Sequence, residues 1–544
     1  MSTAGPLAPR QGRGLREGRR RRWCQVALAR TYAMALTGVQ GHVVEIEADI
    51  ENGLVALLLV GLPDTALREA RDRIRSAIVN SRESWPLRRV TVGLSPASLP
   101  KRGSGFDVAI AAAILSADGA VPKDQLTGTV FVGELGLDGR LRPVPGVLPS
   151  VAAAAAAGFV RAVVPPDNAA EALLVPGIEV VSAPSLGALI DWLRGEPAQA
   201  DGAPVQVLDS GAGLAPARAV TTSAGVRDLA DVVGQPVARR AAEICAAGGH
   251  HMLLLGPPGV GKTMLAERLP TIMPGLEPAA ALEVSAIHSV AGALRADRPL
   301  MTEPPFCAPH HTATKAAIVG GGSGVIRPGA ASMAHHGCLF LDEAPEFDRD
   351  VLDALRQPLE SGEVVIARSG LTARFPARFT LVLAANRCPC ARSAAAGSGC
   401  TCTPLARRRY LARLSGPLLD RVDVKVELLP VGRAELLSDR QLAEPSAVVA
   451  VRVREARARA ARRLADTRWS LNAEIPGSVL RRSFRPAVGA LAPLERAMDR
   501  GQISARGADR VIRMSWTLAD LAGEARPRLA EVGAALGLWL GSGS

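Results

Sequence analysis

Three apolar segments predict an α/β fold built on a parallel sheet flanked by helices. Met252-Leu-Leu-Leu255 runs straight into Gly256-Pro-Pro-Gly-Val-Gly-Lys262-Thr263 and a helical stretch from Met264. That is a strand, a glycine-rich loop and a helix in immediate succession. Cys338-Leu-Phe-Leu341 ends in Asp342-Glu343, and Phe379–Ala385 ends in Asn386. Short apolar runs that stop on polar residues suit buried parallel strands, whose carboxyl edge is where such sheets collect ligands. Helical periodicity at 448–463 and 506–521 adds a helical C-terminal part. Short strands mixed with alanine-rich helices before residue 195 add an α+β domain.

Composition narrows the classes. The chain has 544 residues, 48% hydrophobic and 21% charged, which fits two to four globular domains rather than a disordered chain. No run of 18 apolar residues occurs, so a membrane protein is not expected. Eight cysteines, half of them within Cys388–Cys402, suit a cytosolic metal or thiol site and not a secreted disulfide framework. The net charge of +12 is uneven: seven arginines against Glu17 put +6 into residues 1–25. A mildly basic body is a weak pointer to nucleic acid. With 59 Arg against five Lys, the balance reflects genome base composition first.

Residues 1–25 read as a disordered basic extension. It is either a nucleic-acid-binding arm or a misassigned start, with translation beginning at Val26 or Met34; the second is favoured. Residues 26–195 form the α+β domain. Strands are expected at Val43–Ile50, Ala56–Val60, Val90–Leu94 and Thr129–Leu135, and helices at Thr65–Asn80 (capped by Asp64), Asp107–Ser116 and Val151–Gly158. The Gly/Ala/Pro-rich stretch 196–224 reads as a linker.

Residues 225–430 carry the chemistry. The glycines of Gly256–Thr263 let backbone N–H groups turn inward around phosphate oxygens. Gly256, Pro257, Pro258, Gly259, Val260 and Gly261 form the cradle, Lys262 offers a point charge to the β/γ-phosphates, and Thr263 offers a hydroxyl to Mg²⁺. Asp342 is expected in the Mg²⁺ shell and Glu343 as the group that polarises an attacking water. Cys388, Cys390, Cys400 and Cys402 form two C-x-C pairs. They suit a structural tetrahedral zinc site, with free or redox-active thiols as the alternative. The segment Glu360–Ala377 reads as a hairpin bearing Arg368 and Arg374. Residues 431–544 read as a helical lid with an arginine-rich helix at Val448–Arg463.

Family resemblances extend this reading. Pro100-Lys-Arg-Gly103 and Gly133-Glu-Leu-Gly-Leu-Asp-Gly-Arg-Leu-Arg-Pro143 resemble the proteolytic domain of Lon proteases, which have the ribosomal protein S5 domain 2-like fold. Its Ser–Lys pair does not carry over: the serine position is Gly105, with Ser104 one residue early, and the lysine position is Leu148. A Lon-like domain without protease activity is therefore expected. The P-loop, Asp342-Glu343 and Asn386 resemble an AAA+ P-loop NTPase core, in which Asn386 takes the sensor 1 position. Leu418-Leu-Asp-Arg421 resembles the segment that carries an arginine finger acting on a neighbouring subunit; a plain Asp–Arg pair at a helix end is the alternative. Ser504-Ala-Arg506 resembles the sensor 2 arginine of the lid.

Asp231-Val-Val-Gly-Gln235, Ala246-Ala-Gly-Gly-His-His251, Pro309-His-His311, Gly320-Gly-Gly322, Arg327-Pro-Gly329, Phe340–Phe347, Leu355–Glu360 and Ser415–Arg421 together resemble the YifB/ComM family of magnesium-chelatase-like AAA+ ATPases over about residues 26–540. Cys307, Ala330 and Arg387 depart from that family's pattern, outside the nucleotide motifs. The resemblance implies a cytoplasmic, hexameric, Mg²⁺/ATP-dependent motor. In ComM members, which act in natural transformation, the motor is a DNA helicase driving branch migration. It also implies that the hairpin arginines face a central pore, where they contact DNA or are merely solvated. The competing reading is a chelatase-type ATPase that remodels a protein partner without acting on DNA.

Overall fold

The computed structural model describes residues 28–61, 64–101, 103–197, 203–209, 227–322, 326–368, 371–390, 400–432 and 443–541. The predicted 1–25 extension lies outside these residues, as does most of the predicted 196–224 linker. The architecture is mixed α/β, with one mixed sheet, one parallel sheet and a helical C-terminal layer.

The first sheet has eight strands in the order Gln206–Asp209, Glu179–Ser182, Arg161–Val164, Thr129–Phe131, Leu28–Thr37, Gln40–Glu51, Arg89–Ser95, Ala56–Val60. Leu28–Thr37 and Gln40–Glu51 make a long antiparallel hairpin turned at Gly38. Helix Asp107–Ala117 is buried along its whole length, because its alanines let it lie close on the sheet while Val108, Ile110, Ile114 and Leu115 fill the core. Two expectations need correction. The predicted Thr129–Leu135 strand is two pieces, broken at Gly133, whose Cβ would press on Pro165 and Val108 at 3.2 Å. Within the predicted linker, Gln206–Asp209 pairs antiparallel with Glu179–Ser182 as an edge strand, because the sheet offers an unpaired edge there. The residues around the Lon-type positions have partners of their own. Ser104 Oγ donates to Glu134, Lys101 Nζ donates to the Pro96 carbonyl, and Leu148 is buried at the start of helix Val147–Ala156.

The second sheet is wholly parallel, in the order Phe306–Cys307, Cys338–Leu341, Thr380–Ala385, Met252–Leu255, Val424–Glu427. Helices Pro236–Gly248 and Lys262–Ile272 cover one face and share a core with the C-terminal helices Ser446–Leu464, Ala505–Ala522 and Leu529–Leu540. A buried polar chain ties that layer to the sheet. His250 Nδ1 lies 3.1 Å and Arg510 Nη1 2.5 Å from Asp423, and His250 Nε2 meets Thr517 Oγ1 at 2.8 Å.

The two sheets meet through helix Pro278–Ala291. Gly146 N–H donates to Ser289 O at 2.9 Å, and Ser289 Oγ donates to Glu171 at 2.5 Å. The predicted hairpin forms as Glu363–Arg368 and Leu371–Pro376. Its Ala373 and Phe375 pack with Val290 and Ile326 against Leu36 and Val39 of the first-domain hairpin.

Candidate active site

Every strand of the parallel sheet points the same way, so the residues that follow the strands collect at one edge. Gly256–Gly261 leaves strand Met252–Leu255 there. Pro257, Pro258 and Val260 lie in the loop, and Gly259 and Gly261 adopt φ of 79° and 94°, the left-handed region open to glycine. Helix Lys262–Ile272 starts at once, so its free N–H groups face the loop. The loop wraps the lysine: Nζ donates to Gly256 O at 2.8 Å, Pro257 O at 2.9 Å and Asn386 Oδ1 at 3.0 Å. Burial lowers the Lys262 pKa, and the nearby Asp342 and Glu343 charges oppose that.

Thr263 Oγ1 donates to Asp342 Oδ2 at 2.7 Å, and Glu343 N–H donates to Asp342 Oδ1 at 2.9 Å. Glu343 adopts φ of 50°, uncommon for a residue with a side chain. The structure thus brings Lys262, Thr263, Asp342, Glu343 and Asn386 together. It adds two neighbours that sequence reasoning missed. His311 Nδ1 lies 3.5 Å from Glu343 Oε2, with the His310 ring 4.1 Å from its own. Tyr410 is hydrogen-bonded to the Asn386 backbone; burial, then the Glu346 and Glu343 charges, push its phenol up to about 12. The Pro309-His-His311 string was a signal for the first. Tyr410 had none.

Arg421 lies elsewhere. It precedes strand Val424–Glu427 and so sits at the amino edge of the sheet, opposite the P-loop. Its guanidinium pairs with Glu360 and the Pro417 carbonyl, and its Nε is buried without a hydrogen-bond partner among the described residues. Burial lowers its pKa, helped by the positive charges of Arg356, Arg510 and Arg506. Arg506 is exposed on helix Ala505–Ala522, within electrostatic reach of Arg421. On the hairpin, Arg374 pairs with Glu363 at 2.7 Å, so its charge is already partnered. The Arg368 side chain and the Ser369-Gly370 turn lie outside the described residues.

The four cysteines cluster beside Asn386. Sγ–Sγ distances are 3.2 Å for Cys388–Cys390, 3.3 Å for Cys388–Cys400 and 3.5 Å for Cys390–Cys400, and Cys402 Sγ lies within 4.8 Å of the others. Burial pushes the Cys388 thiol up to about 12, while a hydrogen bond from the Cys402 backbone pulls Cys400 down to about 6. Glu283, His335 and His336 also gather. There His335 Nδ1 accepts the Arg378 N–H at 3.0 Å, so Nε2 carries the proton and donates to Glu283. That makes a hydrogen-bonded group, not a ligand set.

The family profile described as magnesium chelatase, subunit ChlI, matches residues 228–436; related profiles match 46–168 (subunit ChlI of Mg-chelatase) and 443–538 (the subunit ChlI C-terminal part). An uncharacterized protein of Mycobacterium tuberculosis, Rv2897c, is 52% identical over 94% of this chain and 98% of its own. Competence protein ComM of Haemophilus influenzae is 40% identical over 93% of this chain and 97% of its own. A 104-residue stretch, 19% of this chain and 18% of its counterpart, is 30% identical to Lon protease 2 of Bacillus subtilis. Among the described residues no helix is long and apolar enough to cross a membrane.

Proposed function

The chain belongs to the YifB/ComM family of magnesium-chelatase-like AAA+ ATPases, and we propose that it is a cytoplasmic, hexameric Mg²⁺/ATP-dependent motor that translocates on DNA and drives branch migration during DNA uptake and recombination. The observation that carries the ATPase part is the convergence of Lys262, Thr263, Asp342, Glu343 and Asn386 on one edge of a parallel sheet, with Arg421 on the other. DNA as the substrate rests on the 40% identity to a competence protein and on the positive charge of the chain.

In this reading the loop N–H groups and Lys262 hold the ATP phosphates, Lys262 exchanging its carbonyl partners for phosphate oxygens. Thr263 and Asp342 fit Mg²⁺: their oxygens are hard ligands 2.7 Å apart, near the roughly 2.9 Å between neighbouring ligands of an octahedral site at about 2.1 Å. Bound there, the ion would neutralise charge on the β- and γ-phosphates. Glu343 accepts a proton from water as the water attacks the γ-phosphorus, and Asn386 orients that water. ADP leaves with the bridging oxygen, and inorganic phosphate carries the oxygen of the water. Arg421, at the far edge of its own sheet, serves the neighbouring subunit's γ-phosphate, and Arg506 is the sensor 2 arginine of the helical lid. The four cysteines supply the donor set of a structural zinc site.

The test is the ATPase rate of the full chain with and without single-stranded and forked DNA, beside Glu343→Gln. DNA stimulation that vanishes in the variant supports the reading. Hydrolysis indifferent to every DNA overturns the DNA motor and leaves a chelatase-type remodeller of a protein partner.

A further inference from the structure

The cysteine cluster occupies the short path between the two halves of the hydrolytic site. Strand Thr380–Ala385 ends at Asn386, and Cys388 follows two residues later, 6% exposed. After Cys402, Thr403 Oγ1 accepts the Ala406 N–H at 3.2 Å and caps helix Pro404–Leu411. That helix carries the buried Tyr410, within electrostatic reach of Glu343, and Tyr410 is hydrogen-bonded to the Asn386 backbone. One turn on, Arg413 Nη1 donates to Pro345 O at 3.1 Å and to Glu346 at 3.0 Å, gripping the turn that follows Glu343. The start of the path is held as well, by an ion pair between Arg387 and Glu427.

The sulfur geometry selects the ligand. A disulfide needs sulfurs about 2.05 Å apart; the observed separations of 3.2, 3.3 and 3.5 Å are all longer. A tetrahedral ion about 2.3 Å from each sulfur spaces them about 3.8 Å apart, an outward adjustment of a few tenths of an ångström. Thiol hydrogens are weak donors and cannot by themselves hold four sulfurs together. One soft, tetrahedral, redox-silent ion can, and four protein ligands leave it no open position for chemistry.

We propose that Cys388, Cys390, Cys400 and Cys402 bind one Zn²⁺, and that this zinc staple positions Asn386 and Tyr410 against Glu343, so that ATP turnover depends on the metal while ATP binding does not. The inference rests on the ATPase reading given above. The four cysteines touch neither phosphate nor water; they act through Asn386 and the Glu343 turn as positioning residues. Losing such an outer support typically costs roughly 10- to 100-fold in activity. The P-loop, built on a different strand, keeps its hold on the nucleotide.

The experiment uses the full chain. Metal analysis of protein purified without added metal should return one zinc per chain, and cobalt substitution should give the intense visible absorption of a tetrahedral thiolate site. Zinc removal by a chelator, followed by return to excess Mg²⁺, should lower kcat roughly 10- to 100-fold and leave the affinity for a fluorescent ADP analogue unchanged. Zinc re-addition should restore kcat. Cys390→Ser with Cys400→Ser should reproduce the effect without a chelator. Failure of zinc and cobalt to bind under anaerobic reconstitution overturns the site. An unchanged kcat after zinc loss overturns the positioning role, and so does nucleotide affinity lost in step with kcat, which would mark the metal as a support of the whole fold. A zinc-loaded chain that hydrolyses no ATP would instead defeat the ATPase reading and leave the zinc site standing.

Discussion

Replacing Arg421 with alanine separates a subunit that works alone from one that needs a neighbour. The four residues of strand Val424–Glu427 and the turn before them put Arg421 about 15–20 Å from its own P-loop, at about 3.3 Å per residue. At that range a unit charge in water is worth about 0.2 kcal/mol, less once salt screens it, which is under twofold in rate. A guanidinium that touches the γ-phosphate is worth about 10³–10⁵ in kcat, or about 4–7 kcal/mol. Arg421→Ala should therefore cost about a thousandfold or more in kcat with little change in nucleotide affinity. Mixing decides who supplies the group. Lys262→Ala subunits have a dead P-loop but an intact Arg421, and Arg421→Ala subunits the reverse. In a randomly mixed ring about one interface in four joins an intact P-loop to an intact arginine, so two dead preparations should recover about a quarter of wild-type ATPase. A phosphate-release assay on the equimolar mixture reads this directly. No recovery, or a loss below fivefold in Arg421→Ala, would refute the reasoning and return Arg421 to being the partner of Glu360.

His311 lies 3.5 Å from Glu343 Oε2, with both side chains partly exposed. His311→Ala should free the carboxylate and raise DNA-independent hydrolysis about two- to fivefold, the scale of one partly exposed polar contact. A fall in basal rate would mean that His311 orients Glu343 instead of detaining it. Asp423 supplies the pH test. Burial pushes its carboxyl up, but Arg510 and then His250 outweigh that and hold it well below the usual carboxylate range. A depressed acid pKa gives stability that is complete above about pH 4 and is lost as the pH falls further. Asp423→Asn should cost about 3–5 kcal/mol at neutral pH by leaving Arg510 uncompensated, yet lose less than wild type between pH 4 and pH 3 in urea unfolding. Parallel acid losses would remove Asp423 from that role. In Glu343→Gln, ATP should still bind with near-wild-type affinity by a fluorescent-analogue titration while turnover falls by at least a hundredfold.

What the sequence announced was local. The P-loop is eight contiguous residues, and a strand and helix bracket it by necessity, so Lys262 and Thr263 were legible. Asp342, Glu343 and Asn386 were legible because each ends an apolar run. Strands Arg161–Val164 and Glu179–Ser182 went unread because four largely buried residues give no alternation and their place is set by neighbouring strands. Leu28–Thr37 went unread although its partner Gln40–Glu51 is next in the chain, because its alanines and threonines blur the apolar alternation. Gln206–Asp209 was hidden by its Gly/Pro surroundings. The Asp423–Arg510–His250 link joins residues up to 260 positions apart (His250 to Arg510), and no spacing rule finds it. Tyr410 and Arg413 looked like an ordinary helix end; only the fold brings them to the Glu343 turn. Arg421 and Arg506 were readable as single residues, while the position of Arg421 opposite the P-loop is a property of strand direction.

The seam between the two sheets bears on how the chain can be divided. Leu36 and Val39 cover Phe375, Ala373, Val290 and Ile326, and Glu171 accepts a hydrogen bond from the Ser289 hydroxyl. A fragment that begins near residue 227 keeps every nucleotide motif and loses that cover. Its hairpin would then present a greasy patch to water, a recipe for clumping during purification. The same seam means that any swing of the hairpin has to drag the first domain along or tear away from it. Whatever moves the hairpin therefore moves the first domain with it, as freight or as a harness on its reach.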